Sequence, residues 1–238
     1  MKLQYEIPIK DNAVLFSEKK LNVYLPKLNH NAEVFLNNYW LGNGGRMTDP
    51  IDRNHANPLI FNVSNRALKL EENTLYIHLK GVLPRWTHLG EVYIGPEALL
   101  RKAYKKQRLT RVYLVLFTTV MLVFTSLFTA LLWFLRRKKE GESYYLWYSL
   151  GALLWSIHNA KLIINHVPIS NSFWESLVTL AIGWSVICFV FFNHRYAAAY
   201  NKKIDRYILY AAIVLSIPFA YQNFEWTVFY GYKIWMIF

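Results

Sequence analysis

Cysteine is almost missing from this chain: its 238 residues hold one, Cys188, so no disulfide framework can carry the fold. Charge is scarce as well. Only 18% of the residues are Asp, Glu, Lys or Arg, against 54% hydrophobic and 17% aromatic, which excludes a disordered chain and is too apolar for an ordinary soluble domain. Signatures of chemistry are also lacking. No Ser/His/Asp nucleophile arrangement or paired-carboxylate motif is recognisable. The histidines (His30, His55, His78, His88, His158, His166 and His194) are scattered, with no HExxH and no paired spacing for zinc. Gly42-Asn-Gly-Gly45 has no Gly-Lys-Ser/Thr ending and reads as a turn after a strand. No catalytic residue, metal or cofactor is therefore expected.

What is present divides unevenly along the chain. Residues 1–111 carry 17 of the 27 Lys/Arg and 10 of the 15 Asp/Glu, so the second half is the oily one. Val112 to Leu135 runs 24 residues without a charged side chain, and a hydrocarbon core about 30 Å thick needs roughly 20 apolar helical residues. This stretch predicts a membrane span. Three more are expected over about 143–164, 176–193 and 207–224, with a partial fifth over 228–238. Trp133, Tyr144, Tyr145, Trp147, Trp174, Tyr207 and Trp226 stand near their edges, where aromatic anchors belong.

Cations orient these spans. Arg136, Arg137, Lys138 and Lys139 follow the first, and Arg195, Lys202, Lys203 and Arg206 follow the third, so those loops are expected in the cytoplasm and residues 1–111 outside. The expected location is a bacterial inner membrane, multi-pass, with the N-terminal domain extracytoplasmic. The cluster Arg101, Lys102, Lys105, Lys106, Arg108 and Arg111 runs against this rule, but it precedes a long translocated domain's anchor, where anionic headgroups suit it better than nucleic acid. Met1 to Ile9 alternates like a strand rather than an export signal, and Val228 to Phe238 reads as half a span, so a fragment of a longer protein is expected.

Short alternating runs over 13–100 predict an antiparallel β-sandwich in residues 1–95: Leu21–Leu25, Ala32–Leu36, Tyr39–Leu41, Leu59–Val63, Thr74–Leu79 and Val92–Ile94. Asn37-Asn38 predicts a tight hairpin, because Asn tolerates positive φ. Pro96 then suits the first turn of a connecting helix over 96–111 that can continue into the first span. The fold class expected is a multidomain membrane protein, with this sandwich followed by an all-α transmembrane bundle over 112–238.

The run AEVFLNNYWLGNGG (32–45), then NPLIFNV (57–63) and LEENTLYIHLKG (70–81), resembles the galactose-binding-like jelly roll of carbohydrate-active enzymes and sensor ectodomains. Followed by VYIGPEALLRKAY (92–104) and SLGALLWSIHNAKL (149–162), it resembles the bacterial seven-transmembrane receptors with diverse intracellular signalling modules. The resemblance implies a sensing jelly roll, helices that transmit, and a histidine kinase, diguanylate cyclase or phosphatase that responds. This chain departs from the pattern in having four complete spans and no effector within its residues. A histidine kinase is the output expected of the parent chain. A reading of another class keeps the sandwich as an accessory carbohydrate-binding module on a membrane enzyme or transporter.

Arg46, Asp49, Arg53 and Asn54 follow the glycine turn, and with Tyr39, Trp40 and Trp86 they can bind a polyol or carboxylate by stacking and bidentate hydrogen bonds. The same residues suit better a loop pinned by internal Asp–Arg pairs, with the aromatics in the sandwich core. His158, Asn159 and Lys161 share one helical turn inside a span, with Glu175 as a partner, and polar groups there face a bundle interior or an interface. Cys188 reads as a small packing residue. The expected partners are membrane lipid, a small polar or carbohydrate ligand and a second copy of the chain as a homodimer; nucleic acid is not among them.

Cysteine labelling in a Cys188→Ala background checks the orientation. Ser170→Cys should react from outside intact cells, and Glu140→Cys only after permeabilisation. The reverse pattern would place residues 1–111 in the cytoplasm.

Overall fold

A computed structural model of the chain describes residues 2–9, 20–70, 72–81, 88–138 and 142–220. Trp86, the end of the fourth expected span beyond residue 220 and the partial span over 228–238 lie outside the described residues. The chain falls into two compact units. One comprises Met1–Leu114 together with Leu162–Asn171, and the other comprises Val115–Lys161 with Ser172–Phe238.

The first unit holds β1 (Lys2–Ile9), β2 (Leu21–Leu25), β3 (Asn31–Leu36), β4 (Tyr39–Asn43), β5 (Leu59–Val63), β6 (Asn73–Lys80) and β7 (Tyr93–Pro96). They pair antiparallel throughout, as one sheet in the order β1-β6-β3-β4 and a second in the order β5-β2-β7. The alternation explains the pairing. Leu75, Ile77 and Leu79 of β6 and Ala32, Val34 and Leu36 of β3 face inward and join Leu21, Val23, Leu25, Phe61 and Val63 of the other sheet in one apolar cluster. Fully burying each of the larger side chains contributes about 1.5–3 kcal/mol, which makes this cluster the main stabilising term of the unit.

The turn between β3 and β4 follows the expectation from its two asparagines. Asn37 sits at φ 55°, in the left-handed region, and Leu36 opposes Tyr39 directly. Its side chain is buried and satisfied: Nδ2 donates to the Ala67 carbonyl at 2.7 Å, and Oδ1 accepts the Thr74 amide at 2.9 Å. Few residue types combine that backbone with those bonds.

Beyond β7 a helix, α1 (Glu97–Arg108), passes through a π-helical turn at Leu109–Tyr113 into α2 (Leu114–Arg136). It is one continuous element of 40 residues, from Glu97 to Arg136. Pro96, expected in the first turn, is instead the last residue of β7 and caps the helix that starts at Glu97. α1 covers the face of β2 opposite the core. There Tyr24 donates to the Gln107 side-chain oxygen, and Gln107 Nε2 returns a bond to the Pro26 carbonyl at 2.7 Å.

The second unit adds α3 (Tyr144–Ile163), α4 (Asn171–Tyr196) and α5 (Lys202–Ala220) to α2. Ser126 of α2 and Ser149 of α3 each donate to the other's carbonyl, at 2.8 and 2.9 Å, which satisfies two hydroxyls away from water. Gly151 is where α3 and α4 approach closely: a Cβ there would lie 3.2 Å from the Cys188 Cβ and 3.1 Å from the Phe189 ring. Asn201 caps the start of α5 by accepting the Lys203 amide at 3.0 Å. Pro218 lies inside α5 near its described end.

Two of the described helices, Glu97–Arg136 and Asn171–Tyr196, are long and apolar enough to cross a membrane. The chain is therefore a strand-rich N-terminal part of two small antiparallel sheets followed by a helical part.

Candidate functional site

The segment after β4 is built around a place with no room for a side chain. A Cβ on Gly44 would sit 2.4 Å from Asn31 Oδ1 and 2.6 Å from Asn54 Nδ2. Those two asparagines are bonded to each other at 3.2 Å, and Asn54 Nδ2 also donates to the Gly44 carbonyl at 2.8 Å. Arg46 closes the next turn on itself. Its amide donates to Asp52 Oδ2 at 2.8 Å, its Nε to the Pro50 carbonyl at 2.7 Å, and the Asp52 amide returns to the Arg46 carbonyl at 3.0 Å.

Onto this loop the segment 162–171 is bound, and both belong to the strand-rich unit. Arg53 is 6% exposed. Its Nε donates to Asn171 Oδ1 at 3.0 Å and one terminal nitrogen to the Asn171 carbonyl at 3.2 Å, while its own amide donates to the Asn165 carbonyl at 3.0 Å. Asn171 Nδ2 in turn donates to Asp49 Oδ1 at 3.2 Å, so the expected Asp–Arg tie runs through an intervening amide. Asn57 Nδ2 donates to Asn165 Oδ1 at 2.6 Å, and His166 Nδ1 lies 2.8 Å from Asp52 Oδ1. Burying a guanidinium costs several kcal/mol unless acceptors replace its water, and here segment 162–171 supplies them.

The predicted ligand residues thus separate into groups. Arg46, Asp49, Arg53 and Asn54 are brought together, and each is engaged by the loop itself or by segment 162–171. Tyr39 and Trp40 stand out on β4, 53% and 58% exposed, with Trp40 Nε1 donating to Glu33 Oε1 at 3.1 Å. Asn165, His166 and Asn171 went unselected in the sequence, because more than a hundred residues separate them from their partners. The density of asparagine at 159, 165 and 171, between two apolar stretches, was the signal available.

In the helical unit His158 Nδ1 donates to the Val178 carbonyl at 2.8 Å, joining α3 to α4. Asn159 and Lys161 are half-buried on α3, and Glu175 is buried in the second turn of α4. A tighter polar cluster went unselected at the other end of α4. Buried Asp205 accepts from Arg195 at 2.8 Å and pairs with His194 at 2.7 Å, while the Arg195 guanidinium lies 5.2 Å from the Trp147 ring and 4.7 Å from the Tyr200 ring. This ties three helices with one cation.

A cleft of about 810 Å³ opens beside α1, lined from Tyr24 and Pro26 through Tyr93 to the π-helical turn. Burial raises the Tyr24 phenol above its ordinary value, with the Arg111 charge opposing. Tyr93 donates to Glu91, and that bond raises its phenol too. Both hydroxyls are therefore protonated donors at neutral pH.

Replacing Arg53 by Lys keeps the charge but loses the planar fork that reaches both Asn171 acceptors. Hydrogen exchange of the amides in 162–171 should rise by about tenfold or more, the equivalent of losing one or two charge-assisted bonds, while β3 and β6 stay protected. Unchanged exchange in 162–171 would contradict the assigned tie.

No protein-family model, curated protein or solved structure matches the chain.

Proposed function

We propose that these residues are the sensory and transmembrane part of a bacterial signalling receptor, carried in the inner membrane with the strand-rich unit outside. The observation that carries this reading is the continuous helix Glu97–Arg136. At 1.5 Å per residue it is about 60 Å long, twice what a hydrocarbon core needs, so one half can span while the other stays with the strands. Only 6% of its most apolar window is buried within the protein. Phe117, Phe124, Leu127, Phe128, Leu131, Phe134 and Leu135 are each more than half exposed. Leaving seven such side chains in water would cost on the order of 10 kcal/mol, which favours lipid around α2.

The expected multi-pass arrangement draws support from α3, α4 and α5, which cover the second, third and most of the fourth expected spans. The jelly-roll sandwich draws support from the single apolar cluster that both sheets share. Transmission is favoured by the chain's path. It leaves the strand-rich unit through α1, and segment 162–171 returns to that unit between α3 and α4. A ligand on the strands that prefers one arrangement can thereby bias α2, α3 and α4 together. The output proposed is a histidine kinase supplied by a further module of the same polypeptide.

Membranes from cells expressing the complete reading frame should incorporate acid-labile, base-stable phosphate from ATP. Four glycines inserted after Lys106 should leave that phosphorylation intact and remove its response to the stimulus. Membranes without phosphohistidine would contradict a kinase output, and an undiminished response after insertion would contradict transmission through α1.

A further inference from the structure

We infer that the cleft beside α1 is a binding site for a small organic anion with an apolar body, typified by an aromatic carboxylate. This rests on the receptor reading for its consequence, though not for the binding itself. The cleft is sorted by polarity along the helix that forms its wall. Leu99, Leu100 and Ala103 line the end near β7, whereas Lys106, Thr110 and Arg111 line the end toward α2. Leu99 is 66% exposed, an apolar side chain on a wall that the described residues leave open. Its volume of about 810 Å³ is the size of sites that hold one small molecule.

Charge then selects the ligand's sign. Among the described lining residues Lys27, Lys106 and Arg111 meet one carboxylate, Glu91, which is already engaged by the Tyr93 hydroxyl. Arg111 brings a fork that matches a carboxylate or phosphate. Tyr93, 44% exposed and backed by the buried Tyr24 ring with centroids 6.1 Å apart, supplies an aromatic surface against which a flat apolar body can lie.

The order of these features favours a free anion over a membrane lipid, although both would bring an oxyanion to Arg111. A phospholipid reaching up from α2 would set its phosphate at the cationic end and push a polar headgroup toward Leu99 and Leu100. A carboxylate with a hydrophobic body satisfies both ends.

The site also lies against a deformable part of the helix. Thr110 and Arg111 belong to the π-helical turn Leu109–Tyr113, and such turns are rare and recur at functional sites. Gln107, one turn earlier, is the residue bound to both Tyr24 and Pro26. A ligand joining Arg111 to Tyr93 of β7, the strand paired with β2, would hold the helix to the same sheet from the other side.

The test uses the full chain in phosphatidylcholine nanodiscs, titrated calorimetrically with benzoate, phenylacetate and 4-phenylbutyrate, and with inorganic phosphate and the neutral amide of 4-phenylbutyrate as controls. At least one carboxylate should bind saturably. Its affinity should fall roughly tenfold or more in Arg111→Gln, the worth of a charge-assisted pair, and also fall in Lys106→Gln, whose side chain is exposed. The amide should bind more weakly by a similar factor. No saturable carboxylate binding, equal binding of acid and amide, or binding unaffected by both variants would each overturn the site. Phosphate binding as tightly as the best carboxylate would overturn the apolar body. Abolition of carboxylate binding by added phosphatidylglycerol would make lipid the occupant and overturn the free anion. Hydrogen exchange over 97–113 separates the two readings: carboxylate binding that leaves it unchanged keeps the site and removes its part in signalling.

Discussion

The architecture depends on one buried cation. Arg53 lies in a loop of the strand-rich unit with its guanidinium away from water, and the acceptors that make this tolerable come from Asn171, 118 residues further along the chain. A guanidinium buried without them would cost several kcal/mol, a large fraction of what holds any domain together. The segment between α3 and α4 is therefore drawn into the strand-rich unit instead of remaining a free link between helices. Gly44, Asn31 and Asn54 serve the same end by fixing the loop that presents Arg53.

This constraint recasts the polar residues around the glycine turn. Arg46, Asp49, Arg53 and Asn54 are the residue types a carboxylate or sugar site would use, and that chemistry is satisfied here by asparagine side chains and backbone carbonyls. The cleft beside α1 differs in kind. Lys27, Lys106, Tyr93 and Leu99 on its walls are exposed. The proposed ligand site is therefore this cleft, and the Arg53 seam is a structural tie within the strand-rich unit.

Local features were legible in the sequence. Alternation marked the strands, because burial of every second residue leaves a period of two that no distant contact is needed to reveal. Asn37-Asn38 marked its hairpin, Pro96 marked the start of α1, and the uncharged run from Val112 marked α2. Each depends on residues within a turn or two of one another. Distant pairings were not legible. Nothing near Arg53 announces Asn171, nothing near Asp205 announces Trp147, and the cleft arises only when β2, β7 and α1 meet. The π-helical turn at Leu109–Tyr113 leaves no sequence mark either, since those residues suit an α-helix equally well.

The central claim is that segment 162–171 is bound to the loop carrying Arg53, and proximity tests it most directly. Asn57 and Asn165 are bonded side chain to side chain at 2.6 Å. With Cys188→Ala as background, Asn57→Cys and Asn165→Cys should be joined within one chain by a short bifunctional thiosulfonate, in membranes and without denaturant, and not after unfolding in denaturant. Efficient joining that is lost on unfolding is the result this account predicts. Failure of the pair to join in the native protein, while both cysteines remain reactive toward a monofunctional reagent, would contradict it.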